Sequence, residues 1–140
     1  MPRRDELNRF VNAALAAGLS DGDVSALRSL MGLDRAAGDP HAAWFLSVRE
    51  VLGAPVAEAV VLHGGALVFG TVGEGPPWRA AHPYSALVES RWFAPDVDGE
   101  QTLKLRIGQS AHVLKERPDD HFTTGLRAFA DALIERLILA

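Results

Sequence analysis

Apolar positions in the first part of the chain recur every three or four residues. Between residues 5 and 17, Leu7, Phe10, Val11, Ala14 and Leu15 share one helical face, and Gly18 follows as a left-handed stop. Ser20 is placed to cap a second helix with Asp23 at its third position, while Leu19 and Val24 have the spacing of a hydrophobic staple. Val24, Leu27, Leu30 and Met31 form the apolar stripe of that helix, and Gly32 ends it. Residues 5–32 are therefore expected to form a helical hairpin, which needs a further surface on which to bury its seam. Asp39 before Pro40 has the form of a helix start, and Trp44, Phe45, Val48, Val51 and Leu52 keep helical spacing up to Gly53, so a third helix is expected there.

After Pro55 the period falls toward two. Residues 57–63 and 66–72 are β-rich runs separated by Gly64 and Gly65, which suit a tight hairpin turn with positive φ. Gly75, Pro76 and Pro77 mark a loop, after which 78–82 and 87–93 are expected strands interrupted at Pro83. Asp96 to Gly99 makes a turn; Leu103, Leu105 and Ile107 then alternate with Lys104 and Arg106 as in a strand with one wet face. Gly108 and Gln109 turn the chain into 110–116. Pro118, Asp119 and Asp120 open a last helix, in which Phe122, Leu126, Phe129, Leu133 and Leu137 recur at helical spacing. The expected fold class is α+β: N-terminal helices, then an antiparallel meander of about six strands, closed by a long C-terminal amphipathic helix. A hairpin over 1–38 and a sheet domain over 39–140 are expected to form one compact unit.

Composition narrows the function classes. The chain has 140 residues, enough for one domain with its own core, and a net charge of −4, which opposes binding to nucleic acid and to anionic membrane surfaces. It has no cysteine, which removes disulfides, thiolate zinc sites and thiol nucleophiles and fits a reducing, cytoplasmic location. No apolar run approaches the roughly 20 residues of a membrane span, and the N-terminus lacks the form of a secretion signal.

From Ala57 onward the order of elements resembles that of bacterial pleckstrin-homology-like domains. The run Val60 to Phe69 around Gly64 and Gly65 is similar to the opening hairpin of that family, His82 to Glu89 to its proline-aromatic-serine step into a middle strand, and Phe122 to Leu137 to its closing helix. Two departures stand beside the likeness: six strands are counted where the family has seven, and its threonine-asparagine-lysine-arginine stretch is missing. The first 32 residues are similar, through Leu15 to Asp21, to two-helix modules found beside such domains in bacteria. The resemblance implies a binding or self-assembling module, carries over no catalytic residues and calls for no cofactor.

Candidate partner-binding residues are Trp78, Arg79 and His82 around the Gly/Pro loop, and the strand cations Arg91, Lys104 and Arg106. Acids interleave with the bases between 77 and 117, so counting gives no electropositive funnel for an anionic lipid head group. Leu7, Phe10, Leu27 and Leu30 either pack in trans and make a homo-oligomer or form intramolecular core. A protein partner or self-association is thus the expected role. A secretion-chaperone-like dimeric helper is the first alternative and requires a helix where 94–100 reads as a turn. A small hydrolase or metal enzyme built on His82, His112 or His121 is the second, and requires those groups to cluster. Asp96 to Glu100 lacks the ligand spacing of a calcium loop, and no recognised metal-ligand spacing is present.

Overall fold

The computed structural model describes the backbone of residues 2–33, 43–73, 75–116 and 125–139, and the side chains among these from 8 to 138. Helices α1 (Pro2–Ala16) and α2 (Asp21–Met31) form the expected hairpin. Gly18, at φ +100°, ends α1 in a Schellman arrangement: its N–H donates to the Leu15 carbonyl and that of Leu19 to the Ala14 carbonyl. The Ser20 side chain accepts from the Asp23 N–H at 3.1 Å, and Gly32 closes α2 at φ +60°.

Seven antiparallel strands follow among the described residues. Strands β1 (Ala43–Val51), β2 (Ala54–Leu62), β3 (Ala66–Val72) and β4 (Trp78–Pro83) form one sheet in that order. After a 3₁₀ turn at Tyr84–Ala86, β5 (Leu87–Phe93), β6 (Gln101–Ile107) and β7 (Ser110–Glu116) form a second. Helix α3 (Leu126–Leu139) ends the α+β fold.

The third helix expected from 40 to 52 is instead strand β1 where the residues are described; Asp39 and Pro40 lie outside them. The apolar spacing misleads because β1 is buried on both faces. Trp44, Leu46 and Val48 meet the helical hairpin, while Phe45 points the other way, so three consecutive large side chains are interior and the alternation of a half-buried strand is lost. Gly53 is not a helix stop: with Leu52 it makes the two-residue turn from β1 to β2, both at positive φ. The turn at Gly64 and Gly65, closed by His63 N–H donating to the Ala66 carbonyl, does without the positive φ expected there; glycine permits that conformation but does not impose it.

The first sheet separates two cores. On one face, Phe10, Ala14, Val24, Leu27 and Met31 of the hairpin cover Trp44, Leu46, Val61 and Val68. On the other, Phe45, Val60, Leu62, Leu67 and Phe69 meet Leu103, Leu105 and Ile107 of β6 and Leu126, Phe129 and Leu133 of α3. The seam offered for trans packing is therefore occupied within the chain: Phe10 and Leu27 are fully buried and Leu30 packs against the same core. Leu7 lies in α1, with its side chain outside the described residues. The start expected for the last helix at Pro118 to Asp120, with Phe122, also falls outside them. The described start of α3 is capped by Glu116, whose Oε1 accepts from the Leu126 N–H at 2.8 Å. No described helix is long and apolar enough to cross a membrane.

Candidate functional site

Strand pairing sets up rows of side chains that the linear sequence hides. In the first sheet Ser47 pairs with Glu58, Glu58 with Thr71 and Thr71 with Trp78, so these four residues form one line across all four strands. They stand on the face that meets the second sheet, one row beyond Phe45, Val60, Phe69 and Ala80.

Strand β7 crosses this face. Leu114 and Lys115 lie with Phe45, Ser47 and Arg49 of β1, while Ala111 and His112 lie with Phe69, Thr71 and Trp78 of β3 and β4. Two open cavities result, of about 280 Å³ at the β1 end and about 250 Å³ at the β4 end. Both are bordered by Glu58, Val113 and Leu114, so they form one trough running beside β7. Among the described residues β7 pairs only with β6, so every second residue along it turns its N–H and C=O away from the sheet. Free backbone groups thus border an amphipathic floor.

Trp78, about half exposed, stands at the β4 end of the trough. His82 shares its face of β4 and meets a second aromatic cluster: its ring lies 6.0 Å from Phe69 and 6.1 Å from His112, and His112 stacks on Phe69 at 4.4 Å. His121 lies outside the described residues, and no three His, Cys, Asp or Glu side chains gather among those described. Burial, and then the charge of His82, hold the His112 imidazole below its usual value of 6.5.

The unfolded chain takes up a proton at His112 near its usual value, whereas the folded chain resists it. Stability contributed by the neutral ring is whole above about 6.5 and is lost as pH falls from there toward the lower folded value. Urea midpoints measured from pH 7.5 down to 5 are expected to fall for the natural chain and to fall less steeply for His112→Phe; equal slopes would show that His112 does not carry the effect.

Arg79 points to the opposite face of β4 and has a structural task. Its Nη1 donates to the Leu30 carbonyl at 3.1 Å, and the His63 Nε2 donates to the Met31 carbonyl at 2.7 Å, so both satisfy the last carbonyls of α2. Arg79 thus parts from Trp78 and His82.

Arg91, Lys104 and Arg106 do come together, on the outer face of the second sheet. Arg91 pairs with Lys104 and Lys104 with Val113; Glu89 pairs with Arg106 and Arg106 with Ala111; Phe93 pairs with Thr102 and Thr102 with Lys115. The Arg91 Nε lies 3.1 Å from Glu89, and the Lys115 Nζ lies 3.5 Å from Glu100. Arg91, Lys104 and Arg106 therefore stand on the side of the second sheet away from the trough, while Lys115, on the β7 edge, also borders the trough.

The segment 94–100 is a turn, not the helix that the secretion-chaperone comparison needs. Asp96 Oδ1 accepts from the N–H groups of Asp98 and Glu100, which fixes the turn. Ser47, Glu58, Thr71 and Val113 escaped the sequence reading because only strand register brings them together; the one available signal was the β-branched and aromatic content of 44–51, which favours a strand. Comparison of the chain with protein-family models, with curated proteins and with solved structures finds no match.

Proposed function

We propose that the chain is a pleckstrin-homology-like binding module, non-catalytic, that holds a protein partner as an extended segment laid along the free edge of β7. The pleckstrin-homology-like assignment is supported by the antiparallel meander and its closing helix; with β1 a strand, the described strands number seven, the count given for that family. The observation that carries the binding role is the trough itself, where unpaired strand backbone runs beside the line Ser47, Glu58, Thr71 and Trp78. Strand addition at an exposed edge takes its affinity from main-chain hydrogen bonds and its specificity from alternate side chains entering pockets.

The edge can be tested with synthetic ligands in place of the natural partner. A pool of unstructured synthetic peptides is selected against the full chain, and the tightest binders are mapped by amide chemical shifts. The expected shifts concentrate at 110–116 and at the Trp78 indole. Binders that map to the helical hairpin, or to the outer face of α3, would overturn the proposal, as would a pool that yields none. Velocity sedimentation of the free chain adds a second check: a dimer abolished by Val113→Lys would make another copy of the chain the occupant.

A further inference from the structure

Continuing the cross-strand rows by one strand gives the chemistry of that segment, and this inference rests on the β7-edge reading above. A strand added to β7 alternates its side chains between the two faces of the sheet it joins. Its inward residues meet the trough, whose deeper wall is apolar through Phe45, Val60, Phe69 and Leu114. An inward acid would face the Glu58 carboxylate, already paired with Arg49 at 3.3 Å. Its outward residues stand beside Ala111, Val113 and Lys115 and one strand away from Lys104 and Arg106.

That outer face is basic although the chain is acidic. Among the described residues Arg91, Lys104, Arg106 and Lys115 share it with two carboxylates, Glu89 and the Glu100 that lies against Lys115, while the whole chain carries −4. Arg91 and Lys115 have acidic neighbours; Lys104 and Arg106 have no ion-pair partner among the described residues. The long side chains of those two cations span the gap to a strand beyond β7, and apolar Val113 between them gives the face a surface that a polypeptide covers. We infer that the partner segment is an extended polypeptide alternating apolar and acidic residues, apolar toward the trough and acidic toward the Lys104 and Arg106 face.

Three fluorescein-labelled peptides matched in length to β7 test this by anisotropy with the full chain. All carry the same apolar residues at alternate positions, with Glu, Gln or Lys between them. The Glu peptide is expected to bind about tenfold more tightly than the Gln peptide, the sum of a few exposed ion pairs, and the Lys peptide more weakly than either. Raising salt from about 50 to about 300 mM shrinks the difference. In Lys104→Gln/Arg106→Gln the Glu and Gln peptides are expected to bind alike, with the thermal midpoint confirming the fold. Equal binding of the two peptides to the natural chain, with shifts still at β7, would overturn the acidic specificity and leave the edge reading standing. Failure of all three peptides, or shifts elsewhere, would overturn both. Single-stranded DNA or phosphatidylserine vesicles binding in preference to the Glu peptide would assign the basic face to a phosphate partner and overturn the inference.

Discussion

Phe45→Ala and Trp44→Ala are each expected to lower folding stability by about 3–5 kcal/mol, the usual cost of removing a buried aromatic side chain. The two residues are neighbours in sequence but belong to different cores. Phe45 lies between the sheets, with its ring 6.4 Å from Phe129 of α3. Trp44 lies under the helical hairpin, edge-on to Phe10 at 4.9 Å. Its indole Nε1 has no hydrogen-bond partner among the described residues, so Trp44 contributes as apolar mass and ring contact. Side chains on opposite faces of a buried sheet share no partners, so their effects should add to within about 0.5 kcal/mol. The summed loss of about 6–10 kcal/mol is comparable to the ordinary stability of about 5–15 kcal/mol, so the cycle is best run in a stabilising osmolyte. Urea denaturation of the four proteins measures the sum. A strong coupling between the two positions would mean that they share one core and that β1 is not the divider between hairpin and sheets.

That dividing role explains which parts of the fold were legible in the sequence. The caps at Ser20, Gly18 and Gly32 act within a few residues of chain, so their side-chain and backbone chemistry identifies them whatever the tertiary surroundings. The β6 strand was equally open, because Leu103, Leu105 and Ile107 face the core while Lys104 and Arg106 face water. Strand β1 was not. Its environment comes from two layers distant in sequence, and a strand covered on both faces carries no polar alternation to separate it from a helix. The same misassignment hid Ser47 and with it the line of residues along the trough. Among the candidate side chains, Arg91, Lys104 and Arg106 share one face through strand register, whereas Arg79 and His82, three residues apart, serve opposite faces of β4. Alternation within a strand decides that partition.

Two glycines give the other large expected effect, and the contrast between them tests how the layers are fastened. Gly73 leaves β3 at φ +104°, and a Cβ there would fall against the backbone of Pro55 and Val56 at the start of β2. Gly73→Ala therefore combines a disfavoured φ with a contact that only backbone movement relieves, and should cost about 2–4 kcal/mol. Gly70 is different. Its backbone conformation suits any residue, but a Cβ there would fall on the Met31 sulfur, where α2 lies over β3. Gly70→Ala should cost about 1–3 kcal/mol in the natural chain. With Met31→Ala present the added methyl enters the space left by the thioether, and the same change becomes nearly neutral, so the pair shows a coupling of about 1–3 kcal/mol. The Gly73→Ala cost should persist unchanged beside Met31→Ala, since no side chain stands in its way. Urea midpoints of these variants decide the matter: an uncoupled Gly70 would separate α2 from β3, and a neutral Gly73→Ala would deny the close approach of the β3 end to the start of β2.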